Sequence, residues 1–319
     1  MKKSVKVTIQ AILLISILLI VSCNRVPAGE KPRDTAAILQ QVQTGTQGVE
    51  ISILPNYPPA QVYDQNELVA IVEIKNRGND DLEANDCFIQ ISGFDPNIIL
   101  GGFNQPRSCT ENAGSILEGK NVYNLEGSAN QLEFKSSTIT LPPGVFDYKP
   151  KLNFVTCYNY QTIANPSVCI DPLFYQVTAE QRTCTPHDVV MGGGQGGPVG
   201  VSLVGVDMVG RKAIFEINVK NFGSGRVLSP YSDLRSCGQA SLEYTDLDKV
   251  GYDVQMTGGS LLDCKPRDGL VRLTNNLGKI ICQFDVPGAS AFETPLTVKL
   301  NYNYIQSFQK GIQIVKTPE

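Results

Sequence analysis

His187 is the only histidine in this 319-residue chain. A zinc centre needs several converging ligands, and a serine triad needs a histidine held between nucleophile and acid. A lone histidine in Cys184-Thr185-Pro186-His187-Asp188 therefore reads as a surface-loop residue. The cysteines offer zinc no close pair, since the nearest two, Cys157 and Cys169, stand twelve positions apart. No local motif singles out two carboxylates of the kind that cleave glycosides, which makes an envelope hydrolase the weakest reading. Basic patches for nucleic acid are missing as well. Lys and Arg number 27 against 31 Asp and Glu, net −4, and charged residues are only 18% of the chain. The single Asn-x-Ser/Thr candidate, Asn165-Pro166-Ser167, has proline in the forbidden middle position, so N-glycosylation is not expected. Long apolar runs are also lacking. The longest, residues 11–21, is about half the roughly 20 residues that span a bilayer.

That short run follows Lys2, Lys3 and Lys6 and ends in Ile20-Val21-Ser22-Cys23. A basic start, a short apolar core and a small residue before a cysteine make a lipoprotein-type signal over residues 1–23, with lipid expected on the Cys23 thiol. An uncleaved signal anchor would export the same domains. Either way the chain is expected outside the cytoplasmic membrane, anchored to its outer face or, in a bacterium, to the outer membrane. Eight cysteines remain, an even number that suits four bridges in an oxidising compartment.

The chain repeats itself. Glu73-Ile74-Lys75-Asn76-Arg77-Gly78 returns as Asn218-Val219-Lys220-Asn221-Phe222-Gly223, an offset of 145. Leu141-Pro142-Pro143-Gly144 matches Val286-Pro287-Gly288, and Tyr158-Asn159-Tyr160 matches Tyr302-Asn303-Tyr304, both at 144. Three signals spaced by 144 or 145 mark two copies of one domain. Within each copy the period is that of strands: residues 67–74 and 212–219 are rich in β-branched residues and run into Asn-x-Gly turns, where Gly78 and Gly223 can take a positive φ. With 29 Gly and 19 Pro, the composition suits an all-β, turn-rich chain. The expected architecture is two tandem Ig-like antiparallel β-sandwich domains, 49–183 and 199–319.

Between them, residues 184–198 contain Met191-Gly192-Gly193-Gly194-Gln195-Gly196-Gly197-Pro198. No Gly-Lys-Ser/Thr follows, so this is a linker or junction rather than a phosphate loop. Residues 24–48 read as a flexible tether with a short helix around residues 35–42. Cys157 and Cys169 both lack counterparts in the second copy, which pairs them across a short connection. Cys264 and Cys282 lack counterparts in the first and pair across a hairpin. Cys87 with Cys109 and Cys184 with Cys237 follow by elimination among 105 connectivities.

Asp80, Asp81, Glu83 and Asp86 follow the first Asn-x-Gly turn. They form the one cluster that offers calcium oxygen ligands, although the spacing is not that of the twelve-residue calcium loop and a solvated acidic loop is the simpler account. No other cofactor is expected. Tyr57, Tyr63, Tyr148, Tyr158, Tyr160, Tyr302 and Tyr304 either form a binding face or, by strand alternation, are core and tyrosine-corner residues.

Three stretches carry a resemblance: 45–59, from Gly45-Thr46-Gln47-Gly48 to Pro58-Pro59; 157–171, with Cys157-Tyr158-Asn159-Tyr160; and 193–199. Together they resemble a family of uncharacterised archaeal exported two-domain β-sandwich proteins, over most of residues 45–316. The strand-plus-Asn-x-Gly pattern is also similar to CARDB-type adhesion domains. The resemblance implies surface location and fold, and brings no activity. The expected function is a membrane-tethered binding or scaffolding protein of the cell envelope, not an enzyme, with a surface protein, filament or glycan as partner and no nucleic acid. The first rival is a solute-capture lipoprotein serving a transporter, which needs a concave pocket at the domain junction.

Overall fold

Apolar residues alternate along the two best strands, and the burial follows. Val69–Asn76 and Lys212–Asn221 bury every second side chain, as a strand with one face on a core must. The computed structural model describes residues 35–177, 182–236, 238, 242–288 and 290–318. Among these residues, apart from a helix, α1 (Thr35–Val42), and one turn of 3-10 helix, the regular elements are strands. Those that build the first copy are β1 (Val49–Ile53), β2 (Val69–Asn76), β3 (Cys87–Ser92), β4 (Arg107–Ser108), β5 (Ala129–Lys135) and β6 (Lys151–Ala164). The second set is β7 (Val199–Val209), β8 (Lys212–Asn221), β9 (Lys249–Met256), β10 (Leu270–Arg272), β11 (Leu277–Asp285) and β12 (Phe292–Gly311).

The first copy places β1-β2-β5 in one antiparallel sheet, and the second places β7-β8-β11 in the same order, extended at its edges by Val189–Val190 and Ser260–Lys265. The other layer belongs to both copies at once. Its path is β10-β9-β12-β6-β3-β4, with β6 and β12 paired antiparallel over fourteen consecutive residues. Asn159 faces Asn303, its own repeat equivalent, and Tyr158 faces Tyr304 while Tyr160 faces Tyr302. That register places a local two-fold axis between the two asparagines, the geometry of an isologous dimer built within one chain. One continuous core of buried side chains, from Val72 and Phe154 to Phe215 and Leu300, runs through both copies.

Residues 39–319 form one compact unit, with residues 184–198 inside it. The glycine run is packed rather than slack. Gly194 to Gly200 are buried, and a Cβ on Gly197 would lie 2.4 Å from Thr162 Oγ1 and 2.8 Å from the Tyr302 hydroxyl. Glycine is required there for close packing. The tether is tied down at its end, where the Gly45 N–H donates to the Gly193 carbonyl and the Gly196 N–H to the Gly45 carbonyl.

Cys87 is bridged to Cys109, Cys264 to Cys282 and Cys169 to Cys184. The last corrects two expected pairs, Cys157 with Cys169 and Cys184 with Cys237. The first of these needs residues 158–168 to be a short connection, yet β6 runs straight on to Ala164, and the next strand, Ser167–Ile170, continues along the same partner β12. Cys157 faces Ile305 and Cys169 faces Glu293, twelve residues or roughly 40 Å apart, far beyond disulfide reach. Cys157 is itself disulfide-bonded; Cys237 lies outside the described residues. Three bridges suit an oxidising environment. Cys23 and the signal segment also lie outside the described residues, and among those described no helix is long and apolar enough to cross a membrane.

Candidate functional site

The two-fold axis organises a cluster of four fully buried tyrosines, Tyr158, Tyr160, Tyr302 and Tyr304. Strand alternation aims them all to one face, with ring centroids 5.5 Å apart for Tyr158 and Tyr304 and 6.4 Å for Tyr160 and Tyr302. Each hydroxyl docks on a turn or an opening strand. Tyr160 donates to Asn76 Oδ1 and accepts from the Asp80 N–H; Tyr304 does the same with Asn221 Oδ1 and the Gly225 N–H. Tyr302 accepts from the Val199 N–H, and Tyr158 is hydrogen-bonded to the Val49 backbone. Burial pushes the Tyr158, Tyr160 and Tyr302 phenols well up, so they remain neutral donors.

This explains the Asn-x-Gly repeats differently from a positive φ, which neither Gly78 nor Gly223 adopts. A Cβ on Gly78 would overlap the Tyr160 hydroxyl, and one on Gly223 the Tyr304 hydroxyl. The asparagine side chain accepts from the glycine N–H and from the tyrosine. The remaining tyrosines stand apart from this cluster. Tyr57 and Tyr63 are exposed on the first copy, and the Tyr148 hydroxyl accepts from the Asp95 N–H.

A groove of about 410 Å³ opens beside the cluster, between the outer edge of β1 and residues 306–308 of β12, with Phe222 and Pro198 along its far wall. Gln306 Nε2 reaches across it to the Val49 carbonyl. Glu50, which lines the groove, is paired at 2.8 Å to Arg77, which lies in an adjoining depression and also pairs with Glu126 at 2.7 Å. On the opposite side of the sheet, Asn159 Nδ2 donates to Asn303 Oδ1 at 2.8 Å, under a second, larger depression of about 610 Å³ lined by Phe88, Ser232 and Arg235.

The acidic loop does not assemble a metal site. Asp80 Oδ2 accepts from the Gln161 N–H, Asp81 Oδ1 from the Gly119 N–H and Asp86 Oδ2 from the Glu83 N–H, while Glu83 faces solvent. Each of the three aspartates ends on a different backbone amide. Among the described residues no group of three His, Cys, Asp or Glu could hold a metal ion. Burial raises the Asp80 carboxyl to about 6, opposed by the Gln161 hydrogen bond and aided by Asp81 and Asp86. His187 is exposed, with Nδ1 on the Thr185 carbonyl.

Two groove residues, Gln306 and Phe308, carry no sequence signal, because nothing local distinguishes them from other strand residues. The Tyr-Asn-Tyr pair is the one legible sign of the axis beside them. No protein-family model matches the chain, and no curated protein matches it either.

Proposed function

We propose that this is a tethered extracytoplasmic binding or scaffolding protein of the cell envelope, a surface-interaction module of the adhesion type and not an enzyme. What carries the reading is the junction between the copies. Fourteen consecutive register pairs join β6 to β12, and a shared sheet buried on the tyrosine side leaves no hinge. Capture of a solute between lobes needs a junction that opens; presentation of a fixed surface needs one that does not. Lipid on Cys23 would hold this surface at the membrane, and a kinship with the archaeal exported family or with CARDB-type domains fits the same role. The partner class is a surface protein, a filament or a glycan.

One observation favours solute capture for a transporter instead: the groove does lie beside Pro198, at the junction that reading requires. Cross-linking of the lipidated protein on intact cells separates the two. Recurrent links from residues 49–316 to one surface or filament protein support the scaffold, whereas links confined to a membrane transporter reject it in favour of capture. Detergent partitioning and added lipid mass, both lost in Cys23→Ser, test the anchor.

A further inference from the structure

The two opening strands share one backbone parity as far as Val201, where a bulge shifts β7 by one residue. The Arg77 N–H donates to the Gly48 carbonyl and the Leu54 N–H to the Ile71 carbonyl, so Glu50 and Ser52 turn their backbone groups to β2 while Val49, Ile51 and Ile53 turn theirs to the outer edge. In the second copy the corresponding edge is occupied by the chain itself. The Val199 N–H meets Tyr302. The Gln195 carboxamide brackets Val201, accepting from its N–H at 2.8 Å and donating to its carbonyl at 3.1 Å, as a neighbouring peptide group would. The Met191 N–H donates to the Ser202 carbonyl, Val189–Val190 pairs with Val204 and Leu203, and Asp188 Oδ1 accepts from the Val206 N–H.

The first copy has only the start of this. Val49 is met by Tyr158 and Gln306, and Gly45 stands where, counting back from the equivalent Gly48 and Pro198, the second copy has Gln195. Among the described residues the outward N–H and carbonyl groups of Ile51 and Ile53 have no partner. Exposed edges are ordinarily blunted by Lys, Pro or a bulge, and β1, Val-Glu-Ile-Ser-Ile in continuous register, has none of these. The groove runs beside it, floored by Ile51, Phe222 and Phe308.

We infer that the outer edge of β1 takes up an extended segment of a partner protein as an added antiparallel strand, in the way β7 holds the chain's own residues 188–195. This rests on the binding role proposed above and names its partner's chemistry. The segment is uncharged where it crosses the groove, because the charged side chain at the mouth, Glu50, is already paired to Arg77. Main-chain hydrogen bonds to Ile51 and Ile53 supply the attachment, and the groove selects the side chain that lies over Phe308.

The test uses full-length protein in detergent and a fluorescent peptide copying residues 188–195, Asp-Val-Val-Met-Gly-Gly-Gly-Gln, read by anisotropy and by amide hydrogen exchange. Binding is expected, with exchange slowed at the Ile51 and Ile53 amides. N-methylation of the peptide's central amides should weaken it about tenfold or more, the loss of one or two main-chain hydrogen bonds. Ile53→Pro, which removes an outward donor that pairs with nothing in the fold, should do the same. No binding, binding indifferent to N-methylation, or protection that appears elsewhere would overturn the proposal. Failure here with cell-surface cross-links intact discards the edge and keeps the binding role; loss of those links with peptide binding intact discards the role alone.

Discussion

Asp80 is an acid placed where ionisation is costly, and replacing it with asparagine should stabilise the protein in a pH-dependent way. Its carboxyl is raised from 3.8 to about 6, chiefly by burial beneath the first Asn-x-Gly turn. Between about pH 4 and pH 6 the folded protein therefore holds a proton that the unfolded chain has released. Stability lost to this group is recovered as pH falls through 6, is largely regained near 4 and fully regained only below 3.8, while above 6 the folded state bears the whole cost. Keeping the carboxylate charged in that site costs about 3 kcal/mol, and the site is open enough to water that screening trims this to about 2 kcal/mol. Asparagine keeps an acceptor for the Gln161 N–H and carries no charge. Urea unfolding of both proteins with disulfides intact, from pH 4 to 7.5, reads the effect, because carboxylates other than the neighbouring Asp81 and Asp86 cancel in the difference. Asp80→Asn should be more stable by about 2 kcal/mol at pH 7.5 and nearly equal at pH 4. A difference independent of pH, or a less stable variant at pH 7.5, would refute the reasoning.

The internal symmetry supplies its own controls. Tyr160→Phe and Tyr304→Phe should each cost about 1–2 kcal/mol in urea unfolding, since each leaves a partly buried backbone N–H, of Asp80 or Gly225, without its acceptor. Gly197→Ala should cost about 1–3 kcal/mol by forcing Thr162 and Tyr302 apart, where a flexible linker would tolerate it freely; thermal unfolding decides. The second copy expressed alone should not remain a monomer on light scattering, because β12 would expose a fourteen-residue edge with Tyr302 and Tyr304 uncovered.

Much of the fold is local, and that part is legible in the residues. The strands at 69–76 and 212–221 alternate because one face meets a core, and the helix at 35–42 lies where the sequence suggests one. The repeat spacing is visible because it is a property of residue order alone. How the copies meet is not. Pairing of Asn159 with Asn303 is set by a register between strands far apart in sequence, and no neighbouring residue reports it. The mistaken Cys157–Cys169 pair has the same origin: without the long partner β12, residues 157–169 resemble a hairpin. Composition also cannot tell a glycine required for close approach, such as Gly197, from one that gives flexibility. The candidate site is the least legible of all, because an unoccupied backbone hydrogen bond at Ile51 or Ile53 is not a residue type.

The seam between β6 and β12 also imposes an order on biogenesis. Residues 151–164 leave the ribosome long before their partners, residues 298–311, because almost a whole second copy is made in between. The first copy can form β1-β2-β5 early, but it must wait with one edge of its main sheet unpaired until β12 arrives. Long-range pairing of this kind is slow to form, and an open edge is exposed to wrong partners for as long as it waits. Strand β12 thus acts as the closing step for both halves, and translation that stalls before it leaves neither copy finished.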